Sequence, residues 1–203
     1  MKYMPYSNQK KGMFLAFVAV IFITPDSLLI RLANLTSWDL IFYRGFIPFF
    51  IVFAGLLIIY KSKFISQLLE NGWHGAAYAV TFAITNIFFV ISINNTNVAN
   101  TLIMIALAPM LSAVISFIFL KESTDQKTWI AITITTLAVI YIFNDSFEKG
   151  DVLGNFLGLV CAAGLAAGAV IIRSAKKINL VPSAMMGKLL VALIALFFTE
   201  SLI

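Results

Sequence analysis

Charge is scarce in this chain. Only 11% of its 203 residues are Asp, Glu, Lys or Arg, against about 25% in soluble domains. Fourteen cations and nine acids cannot shield a chain that is 61% hydrophobic with a mean hydropathy of +0.98. A water-soluble globule and a disordered chain are both excluded. A single cysteine, Cys161, rules out an intramolecular disulfide. A single histidine, His74, rules out HExxH and His-rich metal sites. Long polar linkers and low-complexity tracts are missing too, which argues for one compact bundle. The net charge of +5 comes without a basic stripe interleaved with aromatics, so nucleic acid is not a partner. The solvent for this chain is the lipid bilayer.

Seven segments approach the 17–25 mostly apolar residues that a spanning helix needs, at about 1.5 Å per residue. They are Met13 to Leu35, Leu40 to Tyr60, Gly75 to Ile93, Val98 to Leu120, Thr128 to Phe143, Leu153 to Ile172 and Pro182 to Ile203. The fold class expected is an all-α integral membrane protein of about seven helices. Lys10 and Lys11 before the first run resemble a signal peptide. The run continues past Ile23 without a small-residue cleavage site, however, and reads as an uncleaved span.

Ten of the fourteen cations fall on one side of this arrangement: Lys2, Lys10, Lys11, Lys61, Lys63, Lys121, Lys127, Arg173, Lys176 and Lys177. Arg31 and Lys149 fall on the other, and Arg44 and Lys188 lie inside spans. That bias places the N-terminus in the cytoplasm. The loop with Asp145, Glu148 and Asp151 then faces outward.

An offset of 142 residues pairs Gly12 with Gly154, Phe14 with Phe156, Leu15 with Leu157, Arg31 with Arg173 and Ala33 with Ala175. The copies are an odd number of spans apart, so the second crosses in the opposite direction, as in many secondary transporters. The expected division is a five-helix repeat over 1–147 and a partial second repeat of two helices over 148–203. The second copy stops after two spans, so the chain reads as a fragment of a longer protein.

Several stretches carry a resemblance. Val98 to Glu122 has a small polar start, a mid-helix Pro109 and a Leu-Lys-Glu exit before Thr128-Trp129. Phe42-Tyr-Arg44 is an aromatic-then-Arg motif, and Gly154 to Arg173 is rich in Gly and Ala. Together they resemble the drug/metabolite transporter superfamily, specifically its EamA type. The resemblance implies ten spans in two inverted five-span repeats, and movement of small metabolites across the inner membrane. It covers the first repeat and the opening of the second.

Asp26 is the most informative candidate residue. An intramembrane carboxylate costs several kcal/mol and usually faces a bundle interior or water-filled cavity. Pro25 before it removes a backbone hydrogen bond, and Thr24 and Ser27 add hydroxyls. Arg44, roughly 6 Å into the second span, either pairs with Asp26, snorkels outward, or grips an anionic group with its planar fork. Asn86 with Thr81 and Thr85, and Asn100 with Thr101, either line the same cavity or hydrogen-bond between helices. Gly154/Gly158 and Gly164/Gly168 form two GxxxG pairs that suit close helix packing. His74 reads as an interfacial loop residue, and Cys161 as a small packing residue.

These residues point first to a secondary transporter, with Asp26, Arg44, Thr24, Ser27, Asn86 and Asn100 along the pathway. Its partners are a small polar or amino-acid-like metabolite and the bilayer of the cytoplasmic membrane; a coupling proton and a homodimer are further partners this reading allows. No catalytic residue, metal or cofactor is called for. The rival readings are a non-transporting membrane scaffold or inactive transporter fragment and, with neither nucleophile nor metal set, a membrane-embedded enzyme.

Overall fold

The computed structural model describes residues 11–15, 17–18, 21, 25–121, 125–149, 151–175 and 178–199, without the side chains of 142 and 145–149. Among them there are helices and no strands. Two compact units divide the chain, Met1–Asn34 and Leu35–Ile203. In the first, residues 11–15, 17–18 and 21 are helical, and helix α1 (Asp26–Leu32) begins directly after Pro25. Pro25 suits that place: its ring presets φ near the helical value, here −70°, and its carbonyl accepts the Leu29 N–H at 2.9 Å. Asp26 in the first turn and Arg31 in the last both complement the helix dipole. Asn34 closes the unit at φ 48°, in the left-handed region that Asn tolerates.

The second unit opens with α2 (Ser37–Tyr60). Its cap is Thr36, whose hydroxyl accepts the Asp39 N–H at 3.2 Å and donates to Asp39 Oδ2 at 2.6 Å. A short 3₁₀ turn, Lys61–Lys63, leads into α3 (Phe64–Glu70), which the apolar pattern had placed in a connection. Phe64 explains it: the ring is buried against Leu56 and Met185. Helix α4 (Gly72–Asn95) takes in His74, which is half-buried in its first turn rather than in a loop.

The fourth apolar segment is two helices, α5 (Val98–Ile105) and α6 (Ala108–Leu120). Pro109 is responsible, since it lacks the N–H that would bond the carbonyl four residues back. Around it Leu107 N–H turns to Met104 O at 3.1 Å, a tighter bond three residues back. Helix α7 (Gln126–Lys149) runs longer than its apolar core. Helix α8 (Val152–Ser174) follows, then α9 (Val181–Leu196), which starts on Pro182. Helix α9 stops short of the expected end. Phe197 and Phe198 N–H groups bond three residues back, tightening its last turn.

Four stretches are long and apolar enough to cross a bilayer among the described residues: Ser37–Glu70, Gly72–Asn95, Val98–Leu120 and Val152–Ser174; Val181–Leu196 is a shorter apolar helix. Ile58, Phe119 and Tyr141 are each about three-quarters exposed. Such large apolar faces would be unstable in water and are ordinary in lipid.

Within this unit α4 and α8 form the central pair; α9 packs on α2 and α4, and α5 and α6 pack on α8. The glycine pairs of α8 make that possible. A Cβ on Gly154 would meet Asn95 O at 2.5 Å, and one on Gly158 would meet Ser92 Oγ at 3.1 Å. One on Gly164 would strike Thr85 Oγ1. Small residues thus let backbones approach closely where lipid supplies no hydrophobic drive.

Contacts at the helix ends sort the bundle into two sides. On one, Asn94 donates to Ser37 at 2.8 Å and Trp38 stacks on Phe198 at 4.5 Å. On the other, Asn71 donates to Ser183 at 2.8 Å and Asn179 to the Tyr60 hydroxyl at 2.6 Å. Lys61, Lys63, Lys121 and Arg173 belong to this second side, where Arg173 reaches Ser116 at 3.2 Å.

Candidate functional site

Polar groups collect on one face of α4. Phe82, Asn86 and Phe89 are four and three residues apart, which places them on one stripe of a helix. Helices α2 and α9 bring a cation each to that stripe. The Arg44 guanidinium carbon lies over the Phe89 ring, 5.7 Å from its centroid. The Lys188 ammonium donates to Asn86 Oδ1 at 2.6 Å and sits 5.3 Å from the Phe82 centroid. Asn86 Nδ2 meanwhile donates to Phe82 O at 2.8 Å, which turns the amide oxygen toward the lysine. All five side chains are half-buried.

Both cations are deep. Arg44 stands about 10 Å along α2 from Ser37, more than expected because the helix starts earlier than its apolar core. Lys188 and Asn86 stand about 12 and 13 Å from the ends of α9 and α4 on the same side of the bundle. Gly45 keeps them together: it lets α2 approach α9 so closely that a Cβ there would meet Lys188 O at 2.8 Å.

Beside this face is a cleft of about 210 Å³ between α4 and α8. Tyr78, Thr81, Thr85 and Asn86 form one wall, and Gly164 and Gly168 the other. Thr81 and Thr85 hydroxyls donate to the carbonyls of Ala77 and Thr81, at 2.8 and 2.7 Å, leaving their lone pairs as acceptors. Cys161, buried behind the cleft, reaches Thr85 O at 3.5 Å.

Asn100 and Thr101 lie elsewhere, at the start of α5. Asn100 Nδ2 donates to Thr96 Oγ1 at 3.3 Å, and Thr96 Oγ1 donates to Asn155 Oδ1 at 2.9 Å. Ser92 and Thr101 hydroxyls are 2.8 Å apart, and Ser92 reaches Gly154 O at 2.7 Å. This buried cluster ties the ends of α4, α5 and α8 together. Of the other sequence candidates, Asp26 is half-buried and Ser27 buried in α1, within the first compact unit. Thr24 lies outside the described residues.

Two residues were passed over in the sequence. Lys188 had a signal, a lysine in the middle of an apolar segment, which is costly unless it faces a cavity or a partner. Asp39 is buried to 5% exposure with Oδ1 lacking a hydrogen bond. Its signal was the Thr36-x-x-Asp39 spacing of a capping pair.

Long apolar helices with large lipid-facing side chains and a polar, cationic interior face define a polytopic helical membrane protein. The profile of the EamA-like transporter family matches residues 10–144, well over half of the chain. The chain belongs to that family, and is a membrane transporter of the drug/metabolite type. No curated protein and no solved structure matches it.

Proposed function

We propose that the protein is a secondary active transporter that moves a small polar metabolite across the cytoplasmic membrane by alternating access. The observation that carries this reading is the half-buried Lys188–Asn86 hydrogen bond at mid-helix depth, bordering a cleft between α4 and α8. Intramembrane ionisable groups of this kind mark substrate pathways by default. Arg44, Asn86 and the Thr81/Thr85 wall form the part of the pathway built by the second unit. Asp26, with Thr24 and Ser27, contributes a carboxylate and hydroxyls next to Pro25. Asn100, bonded to Thr96 beside Asn155, borders one end of the pathway.

The N-terminus is cytoplasmic in this reading, supported by the Lys and Arg that gather on one side of the bundle. Residues 1–147 form one inverted repeat and 148–203 belong to the second. The family match over 10–144 supports that division.

The rival reading, a scaffold without transport, draws on the Ser92–Thr101–Gly154 cluster, whose hydrogen bonds only join helices. Reconstitution separates the two. Proteoliposomes of the purified chain, screened with radiolabelled amino acids, carboxylates and phosphate esters, should accumulate or release at least one solute. Asn86→Leu should reduce that flux more than tenfold. No flux of any solute, with a folded and monodisperse protein, would favour the scaffold or an inactive transporter fragment.

A further inference from the structure

We propose that the elbow joining α2 to α4 is a docking surface for anionic phospholipid. Lys61 and Lys63 meet the headgroup phosphates, while Ile65, Leu69 and Trp73 enter the edge of the hydrocarbon. The surface is independent of which solute the protein carries.

The local sequence sorts α3 into three faces. Phe64 and Leu68, four residues apart, turn to the bundle: Phe64 is buried against Leu56 and Met185, and Leu68 lines a hollow with Gly75 and Met186. Ile65 and Leu69, also four apart, form a second face, 66% and 73% exposed. Ser66 and Glu70 form a third, polar and exposed. A helix surrounded by water has no use for the second face, and one surrounded by hydrocarbon has none for the third. All three are satisfied when α3 lies in the interface plane, one flank toward lipid and the other toward water. Trp73, four residues beyond Leu69 and 81% exposed, then takes its place in the aromatic belt of the membrane.

The backbone at both ends of α3 fits this placement. Lys61 closes α2 at φ 48° and Gly72 opens α4 at φ 47°, so positive-φ residues bracket the short helix. Gly72 adopts that conformation freely, whereas a residue with a Cβ is strained there. A lysine in a glycine conformation points to a use for its charge at that position. Lys61 and Lys63 are both exposed, and their long stems let the ammonium groups reach the headgroup level. The apolar row is also continuous with the lipid-facing surface of α2, where Ile58 and Ile59 are 75% and 71% exposed. That continuity, with cations at its polar edge, fits a charged bilayer surface better than a second protein. The one acid of α3, Glu70, stands on the opposite flank, where its carboxylate accepts from Gln67 at 2.8 Å.

Fluorescence of the full chain in vesicles tests the proposal. Trp38→Phe and Trp129→Phe leave Trp73 as the reporter, and phenylalanine preserves the ring contacts with Phe198 and Phe117. Vesicles of phosphatidylcholine and phosphatidylglycerol carry a bromine quencher near the headgroup of one lipid or the other, at equal mole fraction. At low ionic strength brominated phosphatidylglycerol should quench Trp73 about threefold more strongly than brominated phosphatidylcholine. The preference should fade near about 1 M NaCl, where charges are screened beyond about 3 Å. Lys61→Gln with Lys63→Gln should equalise the two lipids, and Lys61→Arg with Lys63→Arg should keep the preference. Equal quenching of the single-tryptophan chain by both lipids would overturn the inference, and this comparison decides alone if the glutamine pair does not fold. A preference that survives the glutamine pair in full would overturn it too. So would an absence of quenching by either lipid, because a second copy or another protein would then cover the surface. Sodium glycerol phosphate, matched in ionic strength with NaCl, separates lipid from a free phosphate. It should leave the preference intact; its loss would make the ligand a soluble anion and overturn the lipid assignment.

Discussion

Gly45 offers a quantitative check on how α2 and α9 are packed. A Cβ at this position would lie 2.6 Å from Ala192 N and 2.8 Å from Lys188 O, all of it backbone that cannot rotate away. Ordinary contact begins near 3.4 Å, so Gly45→Ala must open the helix pair by about 0.8 Å at the contact. Helix α9 has little freedom to retreat. On its other side a Cβ on Gly187 would already meet Ala79 O of α4 at 2.9 Å. Overpacking of this kind costs about 1–3 kcal/mol, against a helix-propensity gain of up to about 1 kcal/mol for Gly to Ala. Gly55, in the same helix, is the internal control: its Cβ would meet nothing within 4 Å, so Gly55→Ala retains only the gain. The two variants should differ by about 1–3 kcal/mol, roughly 2–12 °C in Tm for a chain of this length. Melting of both proteins in one detergent, followed by tryptophan fluorescence, measures the difference. Gly45→Ala melting at or above Gly55→Ala would refute the close α2–α9 approach, and with it the pairing of Arg44 with Lys188 on one face.

Three further outcomes are expected. Ser92→Ala strands the Thr101 hydroxyl and Gly154 carbonyl and should cost about 0.6–1.7 kcal/mol, the range for hydrogen bonds between membrane helices; an unchanged Tm would show that the cluster contributes nothing. In a Cys161→Ala background, Ser62→Cys should react with impermeant maleimide only from the cytoplasmic side and Asn95→Cys only from outside, and the reverse pattern would invert the proposed topology. Asp26→Asn should abolish transport while leaving a folded, monodisperse protein; wild-type flux would remove Asp26 from the pathway.

Much of the helical content was legible because a bilayer imposes a one-dimensional rule. Backbone groups in hydrocarbon must be satisfied internally, so a long apolar run has to be helix. The expected segments Leu40 to Tyr60, Gly75 to Ile93 and Leu153 to Ile172 therefore fall within α2, α4 and α8 to within three residues at each end. The Gly154/Gly158 and Gly164/Gly168 pairs announced close packing, because small residues act through local chemistry; Pro109 interrupts the fourth segment, which was expected as one helix. Helix α3 was not legible. It exists because Phe64 finds Leu56 and Met185, and the latter is far away in the chain.

Composition and periodicity alone determined that this protein lives in lipid, where most of its long helices run, and which helix carries the small residues for close packing, since each follows from residue type and spacing. Which polar groups face one another was a matter for tertiary structure. Lys188 and Asn86 are separated by most of the span between α4 and α9, and no local rule joins them. Their 2.6 Å contact arises because Gly45 and Gly187 admit α9 between α2 and α4, turning one lysine of an apolar segment onto the stripe that carries Phe82 and Phe89. A side chain's direction within a bundle depends on helix rotation, and rotation is set by the sum of contacts with every neighbour rather than by the helix's own sequence.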